Sequence, residues 1–342
     1  AILHDLGKVH PVFQQRLSGN RDASIRHELV SFWFAETFLE VDDAVLFAVA
    51  THHRSVESSS CGKCLTMSDL NDVSISIEDG SYLRCSEGTM CYETLQSWLS
   101  LFSESFICRP EKLSRISPSS CYMLREGKQI KTIPNPVDRQ RFSLLRAFLQ
   151  ASDHLASGGY TEIPDYQMIS LTDFQPHDRH GKLPFRHFQE KLQRWTGDAV
   201  LHAPTGSGKT EAALSWVYAN QQKGNRLFYL LPYTASINAM RLRLGKVYSR
   251  TEVMVQHSKS LGYIYNELNE ESSNVIPDYL ELERKARDKN SLSHEVYFPV
   301  KIMTLHQLLR IPCHGKGWEF AMLECQNALF IIDEFHSYNA FL

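Results

Sequence analysis

No run of about 18 or more apolar residues occurs anywhere in the 342 residues, so the sequence offers no membrane-crossing helix. Neither charge sign prevails. Thirty-six Lys and Arg stand against 39 Asp and Glu, a formal net charge of −3. That balance excludes a strong positive field over the whole molecule, although a locally basic groove for nucleic acid remains compatible with it. Internal repeats are lacking, which argues against a solenoid. No secretory leader opens the sequence, and eight cysteines in a chain of this length do not make a disulfide framework. A reducing cytoplasmic setting is the expectation. The chain starts at Ala1 directly in ILHDLGK and stops at Leu342, and we expect a piece cut at both ends from a longer protein.

What is present suits a globular protein. Hydrophobic residues make up 43% and charged residues 22%, and the length allows two domains with separate cores. Residues 1–55 read as helices, because IRHELVSFWFAETFL (25–39) and DDAVLFAVATHH (42–53) carry apolar side chains at helical spacing. RQRFSLLRAFLQASDHLAS (139–157) is a third amphipathic helix. Between them, about 55–137, Ser, Cys, Gly and Pro cluster around short alternating runs (73–79 and 81–85) and one helix at 93–106. Residues 161–184 read as a linker. From 185 onward apolar strands alternate with helices, the pattern of an α/β lobe with a parallel sheet. The expected strands are 198–203, 226–232, 253–256, 300–304 and 328–333.

Two constellations carry chemistry. The first is GSGKT (206–210), which follows an expected strand and opens the helix EAALSWVYA (211–219). Glycines let successive N–H groups close around phosphate oxygens. Lys209 supplies charge to the β- and γ-phosphates, and Thr210 a hydroxyl to magnesium. Thr205, Gly206, Ser207 and Gly208 complete the loop. IIDEFH (331–336) ends a strand in two carboxylates, Asp333 to hold magnesium and Glu334 to orient and deprotonate the attacking water. Thr234 and Ser236, in LLPYTASINAM, and Thr304 and Gln307, in VKIMTLHQLL, stand at strand ends that run into helices. They are candidates for nucleic-acid phosphate contacts or ordinary helix caps. Gln189 is a candidate adenine contact, with a surface glutamine as the bland alternative.

The second constellation is His4-Asp5, His27, His52-His53 and Asp153, spread over the expected helices. Imidazoles and carboxylates facing one bundle interior bind divalent transition metals. A metal pair would clamp a phosphodiester and activate water.

APTGSGKT (203–210) resembles the phosphate loop of superfamily 2 helicases. The order His-Asp, His, His-His, Asp resembles that of HD-superfamily phosphohydrolases. Together, HD first and helicase second, they resemble the CRISPR-associated nuclease–helicases of type I systems. HDLGKVHPVFQ, QASDHLAS, APTGSGKTEAAL, LPYTASINAM, VQHSKS, TLHQLL and DEFHSYN carry that resemblance in order. It implies a multidomain protein, with an all-α HD-type metal-dependent phosphohydrolase domain (1–160, with the insertion about 55–137) and a first RecA-like P-loop helicase lobe (185–342). It implies Asp5 and Glu334 in catalysis, with Lys8 touching phosphate or the transition state. His4, Asp5, His27, His52, His53 and Asp153 would bind iron, manganese, nickel or cobalt. Gln189, the loop 205–210 and Asp333 would bind ATP and magnesium.

Single-stranded DNA and an RNA-guided surveillance complex are the implied partners, and 3′ to 5′ degradation of target DNA the implied activity. The resemblance also implies one more histidine ligand upstream and a second lobe downstream. Without that lobe's arginines, weak ATP binding and poor hydrolysis are expected. His306 stands where the family has an acidic residue, and no role is assigned to it.

Two other functions are compatible with the same residues. One is a nucleic-acid-dependent ATPase whose HD site acts on nucleotides, and the other an HD-inactive regulatory protein switched by ATP. Cys61 and Cys64 have zinc-knuckle spacing, but Cys85 and Cys91 complete it poorly, so reduced cysteines are expected rather than structural zinc.

Overall fold

The computed structural model describes residues 2–20, 26–53, 100, 135–271, 279–313 and 317–338. Cys61, Cys64, Cys85 and Cys91, the short runs at 73–79 and 81–85, and the helix expected over 93–106 (apart from Ser100) lie outside them. The chain forms two compact units, Ala1–Gly159 and Tyr160–Leu342.

The described elements of the first unit are helical: α1 (Pro11–Leu17), α2 (His27–Phe38), α3 (Asp43–Thr51) and α4 (Pro136–Ser157), preceded by a 3₁₀ turn over Leu6–Val9. Local chemistry sets their starts. Asp42 Oδ1 accepts from the Ala44 N–H at 2.9 Å, and Asn135 Oδ1 from Val137 N–H at 3.0 Å, with Pro136 in the first turn. Phe34, Phe38, Phe47 and Phe142 fill the core where α2, α3 and α4 meet. One polar group joins them there. Buried Arg146 of α4 donates to both the hydroxyl and the carbonyl of Thr51, at 3.1 Å each, which fixes the end of α3 against α4.

The second unit holds a parallel sheet in the order β4-β5-β3-β6, from β3 (Arg226–Leu230), β4 (Val253–Gln256), β5 (Val300–Met303) and β6 (Ala328–Ile332). A small antiparallel hairpin, β1 (His177–Asp178) with β2 (Gly181–Lys182), precedes it. The helices are α5 (His187–Leu192), α6 (Lys209–Asn220), α7 (Thr234–Leu244), α8 (Ser260–Glu271), α9 (Tyr279–Ser293) and α10 (Trp318–Glu324). Because parallel strands need crossovers, both faces become covered and the strands read as continuous apolar runs. One face packs Leu227, Tyr229, Val253, Val255, Val300 and Ile302 against Leu214 and Ile237, and the other packs Phe228, Leu230 and Met303 together.

Three expectations differ from this fold. Residues 161–184 are not a linker, because Tyr166, Ile169 and Phe174 are buried in the core of the second unit. Residues 198–203 form no strand: they pair with no other strand among the described residues, and Val200 is 87% exposed. An extended segment without ladder hydrogen bonds is not held as a strand, however apolar it is. After β5 the chain enters a single 3₁₀ turn over Leu305–Gln307 rather than a helix.

Candidate functional site

In the first unit the His and Asp side chains converge. Asp5, His27, His52 and His53 offer ligand atoms within 4.8 Å of one another, and so do His4, Asp5 and Asp153. Asp5 belongs to both groups. Its Oδ1 lies 3.2 Å from His27 Nε2 and its Oδ2 3.3 Å from His4 Nε2, while His4 Nε2 lies 3.4 Å from Asp153 Oδ1. His27 and His53 bring their Nε2 atoms to 3.1 Å.

The elements explain the convergence. His4 and Asp5 lead into the Leu6–Val9 turn, His27 starts α2, His52 and His53 follow α3, and Asp153 lies on α4. Gly7 is the hinge of this packing. A Cβ there would collide with the His27 carbonyl, and the Gly7 N–H donates to Ser31 Oγ at 2.8 Å, whose hydroxyl donates to that same carbonyl at 2.9 Å. Gln150 reaches across from α4 to the His52 carbonyl at 2.6 Å. Gly7, Ser31, Gln150 and Arg146 were missed by sequence reading; only the Gly in HDLGK carried a signal.

The donor set fits divalent metal. His52 Nδ1 lies 2.7 Å from the Val49 carbonyl, an acceptor, so Nδ1 carries the proton and Nε2 is a lone pair. That Nε2 is buried and has no hydrogen-bond partner among the described residues. Burial first, then His53, pushes His52 down to about 4, so its imidazole is neutral at pH 7. Burial also lowers His27. For Asp5 burial acts upward, but the Lys8 hydrogen bond and the charges of His4, Lys8 and His27 hold the carboxyl below its ordinary value. Lys8 Nζ sits 2.7 Å from Asp5 Oδ2, so it reaches the same oxygen set as the imidazoles.

In the second unit the loop before α6 bends through Gly206 (φ 75°) and Gly208 (φ 88°), conformations that glycine adopts without strain. Ser207 Oγ donates to the Pro204 carbonyl at 2.7 Å, and Thr205 is exposed. Lys209 Nζ lies 3.1 Å from Glu334 Oε1, which brings the loop and the strand-end carboxylates together. Thr210 is buried at the start of α6. Asp333 accepts from the Tyr229 hydroxyl at 2.8 Å through Oδ2, and from the Glu334 N–H at 2.8 Å through Oδ1. Glu334 holds φ 50°, a left-handed conformation uncommon outside glycine.

Gln189 is 1% exposed rather than on the surface. Its Oε1 accepts from Arg186 N–H at 2.8 Å, and its Nε2 donates to the Gly208 carbonyl at 3.0 Å, so its amide braces the phosphate loop. Thr234 starts α7, Ser236 is exposed on it, Thr304 precedes the 3₁₀ turn after β5 and Gln307 is its last residue, each at the carboxyl edge of the sheet. Tyr229, Arg243 and Glu211 also gather at this site; no motif signalled them.

Residues 187–340 match the DEAD/DEAH box helicase family. The CRISPR-associated nuclease/helicase Cas3 of Methanothermobacter thermautotrophicus is 24% identical over 99% of this chain and 44% of its own length. The CRISPR-associated endonuclease/helicase Cas3 of Escherichia coli is 28% identical over 43% of this chain and 17% of its own. A Methanocaldococcus jannaschii protein provisionally named a CRISPR-associated nuclease/helicase Cas3 is 30% identical over 50% of this chain and 22% of its own. The chain thus spans less than half the length of each of these relatives. A T. fusca Cas3–AMPPNP structure aligns with 98% of this chain and 40% of its own, at 17% identity and a TM-score of 0.48. A DEAD/DEAH helicase domain implies ATP and magnesium. With the phosphate loop and the paired carboxylates at one edge of a parallel sheet, residues 187–340 form a DEAD/DEAH box helicase domain, and the chain as a whole is similar to part of the CRISPR-associated nuclease/helicases Cas3.

Proposed function

We propose that the chain contributes a metal-dependent single-strand DNA nuclease, of HD type, and the first lobe of an ATP-driven 3′ to 5′ helicase in CRISPR defence. The observation that carries the nuclease half is the convergence of His4, Asp5, His27, His52, His53 and Asp153 into two ligand groups that share Asp5. A shared carboxylate is what a bridged metal pair requires, and such a pair supplies an activated water and charge stabilisation at phosphorus.

The chain's own residues do the rest. The buried His52 Nε2 offers a lone pair, and the Nε2 atoms of His27 and His53 meet 3.1 Å apart in the same cluster. Asp5 would bridge, with Asp153 and His4 closing the second position. Lys8, 39% exposed beside Asp5, is placed to move onto a phosphate oxygen. In the second unit Lys209 would exchange Glu334 for the β- and γ-phosphates, which frees Glu334 to take a proton from water. Gln189 would read adenine only by releasing the Gly208 carbonyl. Single-stranded DNA and an RNA-guided surveillance complex are the proposed partners, and the cytoplasm the proposed location.

Cleavage of a labelled single-stranded DNA circle, with manganese or cobalt added, tests the reading. The wild-type chain and K209A should nick the circle alike, and D5A should lose activity by a factor of about a thousand or more. An intact circle together with metal-dependent hydrolysis of added free nucleotides would favour a nucleotide phosphohydrolase instead. Equal activity of D5A and wild type would leave an ATP-switched regulatory protein.

A further inference from the structure

Side-chain hydrogen bonds from α6, α7 and β3 gather at the nucleotide site. Arg243 of α7 donates from Nη1 to Thr210 Oγ1 at 2.9 Å, and also to Glu211. Tyr229 of β3 lies 2.8 Å from Asp333 Oδ2. Elementary donor counting fixes the direction throughout. A carboxylate only accepts, so Tyr229 gives its one hydrogen to Asp333. A guanidinium only donates, so Arg243 occupies a lone pair of Thr210.

The sheet builds this alignment. Tyr229 pairs in register with Ile331, and Asp333, two residues beyond Ile331, falls on the same face. Tyr229 is 0% exposed, so no water can replace its hydroxyl.

We propose that Tyr229 is a positioning residue of the magnesium site: by giving its one hydrogen to Asp333 Oδ2, it fixes the carboxylate so that its free lone pairs face one cation. This rests on the reading that Thr210 and Asp333 hold the magnesium of bound ATP. It adds that Arg243 competes with the cation for Thr210. Second-shell partners of this kind orient metal ligands and typically change metal affinity by about 10- to 100-fold when removed.

Binding of a fluorescent ATP analogue, first in EDTA and then along a magnesium titration, tests it with no turnover involved. In the wild type, magnesium should tighten binding. Y229F keeps the ring, so its melting temperature and its magnesium-free affinity should stay at wild-type values. Its half-saturating magnesium concentration should rise about tenfold or more. R243Q, altered outside the core, should lower that concentration. An unchanged magnesium requirement in Y229F overturns the proposal. So does R243Q with a requirement equal to or above wild type, even if Y229F fails to fold. A wild type that binds the analogue without any gain from magnesium overturns the assignment of Thr210 and Asp333 itself, a distinct result.

Discussion

Gly208 shows how much one missing methyl decides. A Cβ there would lie 2.5 Å from Gln189 Nε2 and would have to adopt φ 88°. G208A must displace the buried Gln189 amide from the loop it braces, so ATP-analogue affinity should fall by about tenfold or more, as read by fluorescence titration; near-wild-type affinity would show that the brace is dispensable. His10 is a second single-residue determinant. It is buried, and burial pushes it from 6.5 down to about 4. The unfolded imidazole takes up its proton near pH 6.5, whereas the folded one waits until about pH 4. Between these values the unfolded state binds more protons, so stability is intact above pH 6.5 and lost as pH falls toward 4. The loss is on the order of 3 kcal/mol. Urea midpoints measured across that window should fall less steeply in H10Q than in wild type.

Between elements, β5 and α10 of the second unit are joined by a buried ion pair. Lys301 of β5 and Glu324 of α10 are each 1% exposed and in direct contact, and Lys301 also donates to the Ser293 and Glu295 carbonyls at 2.8 Å. Burial lowers the lysine and raises the glutamate, while each partner's charge opposes that drift. K301M would strand a buried carboxylate, at a cost of about 3–5 kcal/mol. Replacing both residues removes the stranded charge, so K301M/E324L should recover most of that loss. Chemical denaturation of the two variants decides the matter: equal destabilisation of single and double variant would mean that packing, not charge, sets the cost.

For the molecule as a whole, two units with their own cores predict two ligand responses. Calorimetry should resolve two unfolding transitions. ATP analogue with magnesium should raise one, and manganese or cobalt the other, each by mass action on the folded form. A single transition moved alike by both ligands would contradict the assignment of separate sites to separate units.

Much of this was legible in one dimension. The four paired strands, the helices at 27–38, 43–51 and 136–157, and the phosphate loop before its helix follow from hydrophobic period, caps and glycine placement, all of which act over a few residues. The His and Asp candidates were legible because their residue types are chemically unusual together. The sequence left undecided whatever depends on neighbours far along the chain. Residues 198–203 are apolar enough for a strand but have no ladder partner, and 161–184 look like a connector yet bury Tyr166, Ile169 and Phe174. Gln189 on Gly208, Gly7 against His27 and Tyr229 on Asp333 are contacts across 19, 20 and 104 positions. Local chemistry determined the elements; only packing, which joins donors to acceptors through space, decided which side chains meet.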